Sequence, residues 1–268
     1  MKGLWMSEWL RLWSRKRTWG MFLMMPVLVY AAARYCLEQN GALSPGMPEY
    51  ATVWNFPVLA LAEHLMTVFN LLVVVLLAAA VTEEARSGQL RFLLLRAVTF
   101  AELFWAKWTV VLAAVGVFLG AFYLECWGIG WWLFERTETV GLFYREGAFA
   151  GGEAVRYGLA YYGLAGLTVV AMASVMLLLA VMAQTATAAV GMGIGWLLLS
   201  FGWPVAARMF GAQVQSLSIT HIQHQGIAAM LADGRPMMRW NLGVMVCYVA
   251  VCLTVGYLWF VKRRGLDV

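Results

Sequence analysis

Charge is scarce in this chain. Asp, Glu, Lys and Arg make up 12% of its 268 residues, about half the roughly 25% of a soluble domain. Polar surface is therefore too small to wrap a water-soluble core, while apolar residues reach 63%. Cysteines number four and give no disulfide framework. Cys247 and Cys252 lie inside an apolar run, and Cys36 and Cys126 are either a pair or, more simply, two free thiols. Histidines number three. There is no G-x-x-x-x-G-K-[ST] loop, so the chain cannot cradle a nucleoside triphosphate in that way, and no H-E-x-x-H zinc motif. What is abundant is long apolar sequence, with 14 Trp, 10 Tyr and 14 Phe that suit membrane–water interfaces.

A transmembrane helix needs about 20 mostly apolar residues. Six stretches qualify: 18–37, 57–81, 103–125, 157–183, 188–207 and 240–261. The first is read as an uncleaved span, although "RKR" precedes it and Ala31–Ala33 resembles a cleavage site, because its basic flank is long and rich in Trp. No charge occurs from Tyr157 to Ala207. That run is long enough for two helices, with "QTAT" at Gln184–Thr187 as the turn. The expected fold class is an all-α membrane protein, one six-span domain over 1–268.

Six spans put both termini on one side. The terminal segments and 82–107 hold 12 of the 19 basic residues and 5 of the 14 acidic ones, a net of +7, against −2 on the other side. The positive-inside rule makes the terminal side cytoplasmic. The total charge of +5 follows this sidedness and gives no reason to expect nucleic acid as a partner.

Residues 1–17, "MKGLWMSEWLRLWSRKR", read as an amphipathic interfacial helix, with Trp5, Trp9, Leu12 and Trp13 on one face and Arg11, Arg15, Lys16 and Arg17 largely elsewhere. The cytoplasmic segment 82–102 contains "TEEARSGQLRFLLLRA". Leu90, Leu93, Leu94 and Ala97 recur at helical spacing, so one face is apolar. A mere reconnection of two spans could be shorter and wholly polar, so an exposed amphipathic helix here is a docking element or a helix resting on headgroups. The outer segment 208–239 carries Ile219, Ile222, Ile227 and Met230 among polar residues and is expected to form short helices dipping into the outer interface.

"EE…SGQLRFLLLRAVTFAELFWAKW", Glu83 to Trp108, resembles the segment between spans two and three of ABC type-2 exporter permeases. That segment typically carries an acidic pair, Gly-Thr-Leu, Leu-Leu, a small or Pro-containing turn, and a Lys just before span three. Here Gly88-Gln89-Leu90 replaces Gly-Thr-Leu, Ala97-Val98-Thr99 stands where Pro is common, and Lys107 falls at the Lys position. The amphipathic start, six spans, short 4–5 turn, long outer 5–6 segment and "KRRGLD" ending are similar to that family too. The resemblance implies a multi-pass protein of a bacterial inner membrane, the permease subunit of an ATP-driven exporter. Its partners would be two ATP-binding cassette subunits, a second permease copy or related permease, and membrane lipid. The chain itself would hold no cofactor, and ATP and Mg would sit on the partners. Motor coupling would fall to Glu83, Glu84, Gly88, Leu90, Leu93, Leu94 and Arg96, with the N-terminal helix as a brace.

Other features give less. Glu63 and His64, in the outer part of span two, are pore candidates or groups near the outer headgroups. Asn70, deeper in the span, suits a bond to a neighbouring helix. "GMGIG", Gly191–Gly195, lies inside span five and reads as close helix packing. His221 and His224 are three apart, which is weak evidence for a metal. "EEAR" resembles the Glu-Glu-x-x-x-Arg motif of intramembrane CAAX-type proteases, but Arg86 comes two residues after Glu84 and His64 is the only histidine within a span. An enzyme is not expected. An ion-coupled secondary transporter would need ionisable residues near mid-membrane, and a non-transporting scaffold would need the docking helix alone. The cargo suggested by the aromatic-rich outer region is hydrophobic or amphipathic: a peptide, lipid or drug.

Overall fold

A computed structural model describes residues 2–87, 99–235 and 237–266. Six helical stretches in it are long and apolar enough to cross a membrane: Lys16–Asn40, Phe56–Thr82, Phe100–Leu133, Gly151–Met182, Ala186–Phe210 and Met238–Val261. The protein is a multi-pass helical membrane protein. Helix α1 (Lys2–Trp13) precedes the first of these, α2 (Lys16–Asn40). The second is α3 (Phe56–His64), a π turn at Leu65–Phe69, and α4 (Asn70–Ser87). Then come α5 (Phe100–Leu133), α6 (Gly151–Met182) and α7 (Ala186–Ala206). Three short pieces follow, α8 (Ala212–Gln215), α9 (Ile219–His221) and α10 (Ile227–Leu231), with a second π turn at Ile222–Gly226 between the last two. Helix α11 (Met238–Leu266) completes the fold.

Local chemistry sets several of these boundaries. Thr99 caps α5: its hydroxyl accepts from the Glu102 amide at 3.2 Å, while the Glu102 carboxylate accepts from the Thr99 amide at 3.0 Å. This capping box satisfies donors that the first turn leaves unpaired. Thr185, in the "QTAT" turn, caps α7 by accepting from the Ala188 amide. Pro57 sits in the first turn of α3, where its missing N–H costs nothing.

Helices α5 and α6 run longer than their apolar stretches suggest. At 34 and 32 residues they measure about 50 Å at ~1.5 Å per residue, well beyond a hydrocarbon core of about 30 Å. Residues Cys126–Leu133 continue α5 because nothing in "CWGIGWWL" breaks a helix that packing supports. Gly130 there lies directly against the Phe56 ring.

The bundle is built around α6, which packs against α4, α7 and α11 and is the most enclosed of the spans. Its two ends are distinct. At the terminal end, Phe104 packs on Phe260 and Tyr257, and α1 packs against α5. At the distal end, the 41–55 and 134–150 loops form a cap. Asn55 accepts from the Thr52 amide and hydroxyl and donates to the Pro48 and Tyr50 carbonyls, and Trp54 donates to the Thr137 carbonyl. One feature of the cap departs from an all-α fold: Thr139–Val140 pairs antiparallel with Phe149–Ala150. The loop between them reverses through Tyr144 (φ 56°) and Gly147 (φ 112°), which brings two extended pairs side by side. Cys36 and Cys126 are buried free thiols.

The "GMGIG" stretch divides its glycines. A Cβ on Gly193 would lie 2.8 Å from Val74 Cγ1 and 3.3 Å from Met176 Sδ, whereas one on Gly191 or Gly195 would meet nothing within 4 Å. Gly193 is thus where α7 closes on α4 and α6, and the stiff Val74 side chain cannot swing away. Gly193→Leu is expected to cost about 1–3 kcal/mol through overpacking, read as a lower melting temperature in detergent. Gly191→Leu should melt close to native; equal losses at both positions would refute the packing assignment.

Candidate functional site

Of the residues expected to couple to a motor, Gly88, Leu90, Leu93, Leu94 and Arg96 lie outside the described residues. Glu83 and Glu84 fall on the last turns of α4. The helices on either side of that segment, α4 and α5, meet at a buried lysine that is ion-paired with α1.

Lys107, in the second turn of α5, is 1% exposed. Its ammonium donates to Glu8 Oε2 at 3.1 Å and to the Ala80 carbonyl of α4 at 2.8 Å. Glu8 is itself 5% exposed and also accepts from the Arg11 guanidinium. Taking an ammonium and a carboxylate out of water is expensive, and the pair is tolerated because each charge is matched and further hydrogen-bonded. The consequence is mechanical: one lysine side chain joins α1, α4 and α5.

Helix α1 is therefore held by protein as well as by its amphipathic character. Leu12 is buried alongside Glu8. Thr18 donates to the Leu12 carbonyl at 2.7 Å and Trp19 to the Trp13 carbonyl at 2.8 Å, which fixes the bend between α1 and α2. Trp13 stacks on Phe118 of α5 with centroids 6.0 Å apart. Glu8 played no part in the sequence reading. The available signal was its position: the sole acid among five basic residues in the first 17, four before Leu12 on the same helical face.

The structure does not bring Glu63 and His64 together into one site. Successive residues on a helix diverge by about 100°. Glu63 is exposed on the flank of α3, while His64 is half-buried, with Nδ1 2.9 Å from the Ala60 carbonyl and its ring against Phe122.

A second polar constellation lies at mid-height. Asn70 and Gln223 are both fully buried and exchange hydrogen bonds, at 2.7 Å and 3.1 Å. Asn70 also donates to the Met66 carbonyl, one of the groups that the π turn shifts out of the regular ladder. Gln223 sits in the other π turn, whose Gly226 carbonyl accepts from Asn241 at 3.4 Å. Asn70 is 14 residues into the helix that starts at Phe56, about 21 Å along it. The 208–239 segment thus reaches from the distal end deep into the bundle, where Ile219, Ile222, Ile227 and Met230 are all buried. Beside it, Ser200, Ser218 and Thr220 satisfy one another's hydroxyls at 2.8–3.0 Å.

His221 and His224 both border a cavity of about 270 Å³ with Arg208 and Met66. Burial, and then the neighbouring His224, push the His221 imidazole below its usual range. No group of three or more metal-ligating side chains occurs among the described residues. No protein-family model matches the chain, and no curated protein matches it either.

Proposed function

We propose that the chain is the membrane permease subunit of an ATP-driven exporter of the ABC type-2 kind. In this reading it sits in a bacterial inner membrane with both termini in the cytoplasm. Two ATP-binding cassette subunits dock on the terminal end, and a second permease copy completes the pore.

The observation that supports this reading is the Glu8–Lys107–Ala80 joint. A segment that transmits force must be footed on something stiff. The 88–98 stretch is flanked by α4 and α5, and Lys107 ties those two helices to each other and to α1. A push delivered between them is passed to two spans and the N-terminal brace together. Motor coupling is assigned to Glu83, Glu84, Gly88, Leu90, Leu93, Leu94 and Arg96: the apolar residues seat in a cleft on the motor and the charges fix the register. The cargo is hydrophobic or amphipathic, in keeping with two spans, α6 and α7, that carry no charged residue from Tyr157 to Ala207.

The test is a pull-down of the tagged chain from mild detergent, comparing native protein with a Glu84→Lys, Leu93→Asp double variant. An ATPase of separate sequence should co-purify with the native chain and be lost with the variant. If no ATPase appears with either, under conditions that preserve complexes, the coupling assignment fails.

A further inference from the structure

Between the distal halves of α7 and α11 lies a groove of about 790 Å³, within the ~300–1,000 Å³ range of small-molecule sites. Trp196, Leu199, Trp203, Val244, Tyr248 and Val251 form most of its wall, and no charged side chain lines it. Its polar atoms are largely spoken for. Trp203 donates to the Val214 carbonyl, Trp240 to Ser216 Oγ and the Gln213 carbonyl, and Tyr248 to the Leu217 carbonyl. Ser200 and Ser218 bond to each other. Three of the four rings, Trp203, Trp240 and Tyr248, are pinned by their polar tips, while the buried Trp196 Nε1 has no hydrogen-bond partner among the described residues. A ligand for such a wall brings an apolar body and needs no counter-charge.

Its position specifies the source of that body. Helices α7 and α11 are the least buried of the six spans. Leu199 and Val251, on the groove's walls, are 73% and 54% exposed. The groove therefore opens sideways onto the face that a bilayer covers. A second copy of the chain has a better seat elsewhere on α7, where Gly191 and Gly195 present open space for close helix approach. An open groove with bulky aromatic walls suits a thin, flexible chain instead.

We propose that this groove holds one acyl chain of a bilayer lipid from the leaflet on the distal side. The chain replaces loose lipid–lipid contact with contact along the aromatic walls, and it stays with the protein through detergent extraction. The inference stands apart from the exporter reading, since it requires neither a motor nor a transport cycle.

Gly243 supplies the test. It lines the groove, and a Cβ added there meets nothing within 4 Å. Gly243→Phe fills the groove without a backbone clash. The native protein is reconstituted with phosphatidylcholine carrying a diazirine near the end of one acyl chain, illuminated, and the adducts are mapped by mass spectrometry. Adducts should concentrate on Leu199, Val244 and Val251, well above those on Leu124, which is 70% exposed on the flank of α5. Gly243→Phe should cut the groove adducts roughly tenfold, the loss expected when its ring displaces about two buried methylenes. Gly120→Phe, in open space on α5, should leave them unchanged. Equal labelling of both faces in the native protein would overturn the proposal, and that comparison needs no variant. Cross-links between two copies through the groove residues, in place of lipid adducts, would overturn it as well.

Discussion

Lys107→Met is expected to destabilise the protein by about 3–5 kcal/mol, the cost typical of removing one partner from a buried ion pair. The substitution keeps most of the apolar stem, one atom shorter, and removes the charge together with its hydrogen-bond donors. It leaves the Glu8 carboxylate enclosed, with the Arg11 guanidinium still beside it, and takes from the Ala80 carbonyl its lysine donor. Glu8→Leu should be costly for the mirror-image reason: an ammonium 1% exposed loses the Glu8 carboxylate. The double variant Glu8→Leu, Lys107→Met puts two apolar groups in contact and should recover much of the loss, because a well-packed apolar pair can match a buried ionic one. Thermal unfolding in a single detergent, run as a double-mutant cycle, measures the coupling. If the double variant is as unstable as the sum of the singles, the two residues do not act as a pair.

The same double variant separates structural from mechanical roles. It restores packing but not the directional tie to the Ala80 carbonyl. Under the exporter reading it should co-purify with its ATPase yet show weakened coupling between ATP hydrolysis and transport. A purely structural pair would leave coupling at the native level once stability returned.

The six spans were legible because the bilayer demands long apolar runs and backbone hydrogen bonds satisfied within each helix. Their ends were less so. Cys126–Leu133 reads as the start of a loop, since two glycines and three tryptophans carry no helix signal, yet contact with the distal cap keeps it helical. Lys107 was legible only as the lysine at the position where the resemblance places one. That the partner is Glu8, 99 residues away, depends on how α1 folds back, which no local pattern encodes. Asn70 raised the expectation of a bond to a neighbouring helix. The bond goes to Gln223, 153 residues on, in the π turn of a segment whose polar composition resembles a solvated loop. Its four buried apolar residues at 219, 222, 227 and 230 were the visible sign that it is not one. The β ladder in the cap had no signal at all, being two residues long on each side.

Asn70→Leu should be the most damaging single change outside the ion pair, at about 1–3 kcal/mol for each buried polar group left unmatched. Gln223 is fully buried and its amide oxygen and nitrogen both engage Asn70. Water cannot step in at mid-span without opening the bundle. The Met66 carbonyl loses its donor too, at the point where the π turn already disturbs the ladder. Gln223→Leu leaves Asn70 with only the Met66 bond and should cost less. The pair Asn70→Leu, Gln223→Leu removes both polar groups and should melt closer to native than Asn70→Leu alone. Hydrogen exchange adds the readout that stability alone lacks. If this bond is what holds the 208–239 segment in the bundle, Asn70→Leu should raise exchange through 219–231 while α6 stays protected. Uniform loss of protection across both would mean that the pair contributes to general stability and does not act as the tether of the distal segment.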